Sequence, residues 1–327
     1  MPTPAITQSN VETLVTIFGG SGFLGRHIVR ALAKRGYRIR VAVRRPDLAG
    51  HLQPLGRVGQ IHPVQANLRY PASVQAAARG ADVVINLVGI LFERGRQTFE
   101  AVHADGPGLV AEAAAHVGAR MIHVSAIGAD KDSPALYART KAFGEEAVRA
   151  AHPSAIIFRP SIVFGPEDDF FNRFAAIARL SPALPLIGGG ETLFQPVFVG
   201  DVAAAIAKAV AGEAKPDTVY ELGGPDVRTF RQLMEFVLET TERHRLLVPV
   251  PFALAHLQAC FLQYMPEPLL TPDQVRLLKT DNVVSEEAKR EGRTLQGLGI
   301  DAHAYTAIVP SYLWRFRKNG QFRGRAA

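Results

Sequence analysis

Leu14-Val15-Thr16-Ile17-Phe18-Gly19-Gly20-Ser21-Gly22-Phe23-Leu24-Gly25 is the stretch on which the fold turns. An apolar, β-branched run ends in a cluster of glycines, and apolar residues then recur at Leu24, Ile28, Ala31 and Leu32, the spacing of one helix face. Residues 11–18 therefore read as a buried strand and 22–35 as a helix. Glycines at 19, 22 and 25 give G-x-x-G-x-x-G, and 20, 22 and 25 also satisfy G-x-G-x-x-G. Such a turn needs positive φ, no Cβ where a pyrophosphate approaches, and close packing under the last glycine. The helix then presents free N–H groups and the positive end of its dipole to the anion. Gly19, Ser21, Gly22, Phe23, Leu24 and Gly25 are accordingly expected to line a phosphate site.

The same alternation continues outward from this unit. Gly36 stops the helix, residues 37–43 form a second strand, 60–64 a third, 71–79 a helix, and 81–88 a fourth strand of nearly continuous apolar type. A helix over 99–116, a strand over 120–125, a helix over 136–150 and a strand over 155–158 follow. Repeated β and α in this order predict an α/β protein with a Rossmann-type doubly wound parallel sheet. Past Gly165 the pattern loosens around prolines and Gly188-Gly189-Gly190. Residues 11–165 are read as the nucleotide-binding domain, with 195–225 returning to it and residues 197–210 supplying a strand end and helix to its sheet. Residues 166–194 and 226–327 are read as a smaller, mostly helical C-terminal lobe, with helices at 170–178, 230–241, 252–264 and 273–278.

Composition narrows the class. The 327 residues are 47% apolar and 20% charged, ordinary globular usage that excludes a disordered or fibrous chain. The single cysteine, Cys260, excludes an internal disulfide, fits a reducing compartment and, among Leu257, Ala259, Phe261 and Leu262, is expected in the core. No apolar run reaches the ~20 residues of a spanning helix, and the first residues show neither a signal nor a transit pattern. Net charge is +7, and Arg315, Arg317, Lys318, Arg323 and Arg325 crowd the end of the chain. That end reads either as a solvated tail or, with the rings of Tyr312, Trp314 and Phe316, as a docking segment for a protein or membrane surface. No recognised nucleic-acid module surrounds it, so no nucleic-acid partner is expected.

The chemistry sits at two places. The second strand ends at Val43-Arg44-Arg45, where an NAD protein would carry a carboxylate for the ribose 2′-hydroxyl. Paired guanidiniums suit a 2′-phosphate instead, so NADPH is expected over NADH. Tyr137-Ala138-Arg139-Thr140-Lys141 sets a phenol and an ammonium four residues apart on one helix face. A cation fixed there would stabilise the phenolate and lower its pKa from ~10, and could bond the nicotinamide ribose. Glu167-Asp168-Asp169 reads as a solvated loop edge. His62, His116, His123, His152, His244, His256 and His303 show no metal-ligand spacing, and no metal is expected.

These blocks resemble the extended and atypical short-chain dehydrogenase/reductase family over nearly the whole chain. The resemblance implies that Asn67 and Leu68 meet the adenine, that Leu87, Val88 and Gly89 line the cofactor after the fourth strand, and that Pro160, Ile162 and Val163 supply backbone near the carboxamide. It implies Tyr137, Lys141 and Ser125 as the catalytic set. Val124-Ser125-Ala126-Ile127 departs from the family pattern, because the position that more often carries the acting hydroxyl holds Ala126 or Ile127, and His103 stands where a helix asparagine is often found.

A narrower resemblance rests on Phe164-Gly165-Pro166-Glu167-Asp168-Asp169-Phe170-Phe171-Asn172, on residues 195–202 and on Thr271-Pro272-Asp273-Gln274-Val275. Together they are similar to the NADPH-binding accessory subunit of respiratory complex I and its bacterial relatives. This implies a tightly held nucleotide, complex I subunits as partners, and a structural or assembly role. The location implied is cytoplasmic, peripheral on the inner membrane of a bacterium, with the C-terminal lobe toward the membrane. The other reading is an active NADPH-dependent reductase or epimerase, acting in quinone metabolism, with Tyr137 as proton donor.

Overall fold

A computed structural model describes residues 8–320. Arg323 and Arg325, with the first seven residues, lie outside the described residues. Contacts divide the chain into two compact units. The first takes the chain up to Pro160, Gly200–Leu222 and Glu286–Ile300; the second takes Ser161–Val199, Gly223–Ser285 and the chain from Asp301 on.

The first unit is built on seven parallel strands. In chain order these begin with β1 (Leu14–Phe18), β2 (Arg38–Val43), β3 (Ile61–Gln65), β4 (Val83–Asn86), β5 (Arg120–Val124) and β6 (Ile156–Pro160), and Val219–Leu222 is the seventh. Their spatial order is β3-β2-β1-β4-β5-β6 and then the seventh. β1 registers Val15 against Ile39 on one side and Val83 on the other. Val15, Ile17 and Ile85 are fully buried because helices cover both faces, which is why these strands read as continuous apolar runs. Strand order reverses at β1, with β2 on one flank and β4 on the other. The carboxyl ends of these strands, at Phe18, Val43 and Asn86, therefore frame the crevice where open α/β sheets take ligands.

Several sequence expectations shift in detail. The first strand starts at Leu14, since Gln8–Glu12 forms a short helix ahead of it. Residues 197–198 do not join the main sheet: Val197–Phe198 pairs with Val163–Phe164 inside the second unit, and Val219–Leu222 takes the edge beside β6. Helix 99–116 is not regular, because Glu100–Asp105 winds as a π-helix before Gly106–His116 continues as α.

The second unit carries three two-stranded sheets beside its helices, strand content that short runs between prolines concealed. Its core gathers Phe164, Phe171, Phe194, Phe230, Tyr305 and Leu313. Asp168 is not solvated. Its buried carboxylate accepts hydrogen bonds from the Tyr312 hydroxyl at 2.5 Å and from the backbone N–H groups of Gly165 and Asn172 at 3.1 Å. The aromatic-basic segment is likewise anchored rather than free: Tyr312 and Leu313 are buried, Arg315 donates to Asn172 and Arg317 to the Thr240 carbonyl. Cys260 is only half-buried, on the helix Phe252–Leu262.

Candidate cofactor site

Helix Phe23–Lys34 begins directly after the glycine turn, with Gly22 as an N-cap that contributes no side-chain hydrogen bond, so the first N–H groups remain available to an anion. Gly19 has φ +78°, a conformation that L side chains rarely adopt. A Cβ at Gly25 would stand 2.6 Å from the Gly19 carbonyl oxygen and from Gly20, so only glycine lets the helix lie this close to the turn. The sequence also places Ser21, Phe23 and Leu24 in this turn and first helical residues.

Arg44 and Arg45 follow β2 and are exposed. They are not equivalent. Arg45 is held by Asp47 through Nε at 3.0 Å and Nη2 at 2.7 Å. Beside that carboxylate its pKa is raised, through the hydrogen bond first and then the charge. Asn67, after β3, caps its own turn by accepting from the Arg69 N–H at 3.2 Å, while Leu68 is buried. Leu87 extends β4 by donating its N–H to the Phe18 carbonyl, and Asn86 holds the Val88 N–H at 3.1 Å. This fixes the backbone of Leu87, Val88 and Gly89 beside the glycine turn, where a Cβ on Gly19 would meet Val88 at 3.2 Å. Pro160 ends β6 in the first unit and accepts from Ile127 N–H. Ile162 and Val163 belong to the second unit, where Ile162 N–H donates to Asn282 Oδ1 at 3.1 Å.

The Tyr137–Lys141 pair lies in the first turns of helix Leu136–Ala151. Its electrostatics run opposite to the sequence expectation. Burial pushes the Tyr137 phenol up to about 12, and burial pulls the Lys141 ammonium down to about 8 against the opposing charge of Glu145. The ammonium lies over the tyrosine ring, 5.8 Å from its centre. Its Nζ reaches the Val124 carbonyl at 3.5 Å, the outer limit of a hydrogen bond. Ser125 is 4% exposed and its Oγ has no hydrogen-bond partner among the described residues.

Around Lys141 the structure gathers two histidines, His123, which shows no metal-ligand spacing in the sequence, and His103, which stands where a helix asparagine is often found. His123 lies 3.3 Å from Asn86 Nδ2 through Nδ1, and His103 accepts the Ile90 N–H through Nε2 at 2.9 Å. Burial first, and the Lys141 charge second, hold His103 down to about 2 and His123 to about 3, so both are neutral. Below this layer Glu145 is buried and paired bidentately with Arg159 at 2.8 and 2.7 Å. None of these pairings has a spacing rule, because each joins residues 13 or more apart in sequence. Among the described residues no group of three metal-ligating side chains gathers, and no helix is long and apolar enough to cross a membrane.

Comparison with known proteins gives the lineage. Residues 15–223 match the NAD dependent epimerase/dehydratase family. The chain is 38% identical to "NADH dehydrogenase [ubiquinone] 1 alpha subcomplex subunit 9, mitochondrial" of Arabidopsis thaliana, over 96% of this chain and 80% of that protein. It is 40% identical to a ceramide reductase of Caulobacter vibrioides over 61% of each chain. Among solved structures, an NADPH-dependent quinone oxidoreductase from Escherichia coli, complexed with NADPH, superposes with a TM-score of 0.72 at 20% identity, covering 92% of this chain and 99% of that one, which shows the fold. The chain belongs to the NAD dependent epimerase/dehydratase family, extended short-chain dehydrogenase/reductase proteins that use a nicotinamide dinucleotide, and within it to the group that holds the subunit-9 proteins of NADH dehydrogenase.

Proposed function

We propose that this protein is an NADPH-binding accessory or assembly subunit of respiratory complex I, and that the nucleotide is held as a structural ligand. The carrying observation is a contrast between the two halves of the site. The phosphate turn is open, with N–H groups available and Arg44 without a side-chain partner among the described residues, which favours the 2′-phosphate of NADPH. The reactive half is set against proton transfer at neutral pH: a phenol near 12, an ammonium over the ring, and a buried Ser125 followed by Ala126 and Ile127. In this reading Gly19, Ser21, Gly22, Phe23, Leu24 and Gly25 hold the pyrophosphate, Arg44 and Arg45 the 2′-phosphate, Asn67 and Leu68 the adenine. Leu87, Val88 and Gly89 line the cofactor after the fourth strand, Tyr137 and Lys141 hold the nicotinamide ribose, and Pro160 lies toward the carboxamide. Similarity to complex I subunits over nearly the full chain supports the partner.

The location is peripheral, on the cytoplasmic face of a bacterial inner membrane. The second unit offers a helix without Asp, Glu, Lys or Arg, Phe252–Leu262, whose Leu257 is 57% and Phe261 73% exposed, followed by Tyr264 at 83%. Exposed aromatic side chains suit the bilayer interface. Flotation with anionic vesicles, lost in a Leu257→Asp/Phe261→Asp double variant, is the expected result.

A second reading, an NADPH-dependent reductase, is favoured by the retained Tyr137–Lys141 pair and by the 40% identity to a ceramide reductase. One experiment separates the two. Protein purified with its membranes should retain NADPH, co-purify with complex I and turn over neither carbonyl compounds nor quinones. Rapid NADPH oxidation abolished by Tyr137→Phe would replace the accessory reading with the enzymatic one.

A further inference from the structure

Three segments of the first unit converge on the imidazole of His103, which is 1% exposed. It sits in the π-helical turn Glu100–Asp105. A π turn inserts a residue into the helical ladder and re-aims the side chains that follow, an arrangement frequent at functional sites. Helix Leu136–Ala151 crosses this bulge so closely that a Cβ on Gly144 would overlap the His103 carbonyl oxygen. The crossing sets the Tyr137 ring edge-on to the imidazole, 5.1 Å between centres, while Phe99 stacks on it at 5.3 Å. On a third side the Ile90 N–H donates to Nε2 at 2.9 Å. That bond requires the tautomer protonated on Nδ1. The missing side chain of Gly89 leaves a point 3.6 Å from His103 Nε2 and 3.5 Å from Lys141 Nζ.

We propose that His103 is a positioning residue for the nicotinamide half of the site: by accepting the Ile90 N–H and abutting the Tyr137 ring, it locks the backbone after β4 and the Tyr137–Lys141 turn into one relative placement. The proposal rests on the reading that this pocket takes a dinucleotide. Packing alone does not account for the arrangement. A phenylalanine would fill the same slab and stack on Phe99, but it would leave the Ile90 N–H without its acceptor. The neutral imidazole supplies both shape and acceptor, and a longer amide would supply the acceptor alone.

The test compares H103F, which keeps the ring and loses the acceptor, with H103Q, whose amide oxygen reaches about as far as Nε2. Affinity is measured for NADPH and for 2′,5′-ADP, which lacks the nicotinamide half, and amide hydrogen exchange is followed at Ile90. Expected for H103F are a loss of about tenfold for NADPH, as one hydrogen bond contributes, an unchanged 2′,5′-ADP affinity, and fast exchange at Ile90. H103Q should recover most of the affinity and the protection. Equal losses for both ligands in H103F, or no recovery of NADPH affinity in an H103Q protein whose Ile90 is protected, would reduce His103 to packing and overturn the proposal. If H103F fails to fold, H103N, too short to reach the Ile90 N–H, carries the same expectations. Should the wild-type protein bind neither ligand, the dinucleotide reading fails separately. Ile90 exchange then decides: protection lost in H103F and regained in H103Q upholds the lock, and equally fast exchange in wild type and H103F overturns it.

Discussion

Replacing Lys141 with methionine should stabilise the ligand-free protein while weakening its hold on NADPH. The ammonium is 5% exposed, and burial lowers its pKa from the ordinary 10.5 to about 8. Carrying the charge in the folded state at pH 7 therefore costs about 3 kcal/mol, an upper figure because water entry and relaxation reduce it. Methionine fills similar volume without a charge, and Glu145 keeps its bidentate Arg159 when the lysine is gone. A gain of about 1–3 kcal/mol raises the melting midpoint by roughly 2–6 °C. The pH dependence follows from the direction of the shift. The folded pKa lies below the unfolded one, so the penalty is full below pH 8, fades between 8 and 10.5, and is absent once lysine is neutral in both states. The advantage of Lys141→Met over wild type should shrink along the same course. In the complex, losing a charge-assisted bond to the ribose costs about 1.5–3 kcal/mol, or roughly 10- to 150-fold in affinity. Calorimetric melts of the nucleotide-free proteins, near neutral pH and again near pH 10, with NADPH titrations alongside, read both halves. A lower midpoint at neutral pH, or a gain indifferent to pH, would refute the account of Lys141 as a strained charge awaiting its ligand.

Two further outcomes follow from the same geometry. Arg44→Glu should weaken NADPH by about 10- to 100-fold, as loss of a charge-assisted phosphate bond implies, and leave NADH nearly unchanged in parallel titrations; Arg45→Ala should do less, because Asp47 already holds that guanidinium. Tyr312→Phe should lower the stability of the second unit by about 1–3 kcal/mol, read as an earlier urea transition, by removing one of the donors to the buried Asp168 carboxylate; no change would show that the backbone donors of Gly165 and Asn172 suffice.

What was legible in the sequence was whatever local periodicity and backbone sterics impose. The glycines at 19, 22 and 25 announce a phosphate turn, which the backbone at Gly19 and the close approach at Gly25 reserve for glycine, and the apolar strands around it announce a sheet covered on both faces. Tyr137 and Lys141 fall on one helix face because four residues make about one turn. Such features involve neighbours in the chain, so spacing carries them.

The state of the site was decided in three dimensions. Spacing placed a lysine beside a phenol and implied a lowered pKa; burial decided that the phenol rises and the lysine falls. Glu167, Asp168 and Asp169 look alike as letters, yet only the structure brings Tyr312 to Asp168 and buries that carboxylate. The π turn at His103 and the contact that Gly144 permits were equally silent, since both depend on how two helices cross. Residue types and their intervals specify which groups are available. Desolvation and long-range pairing, which are properties of the packed interior, determine what charge each group carries and whom it faces.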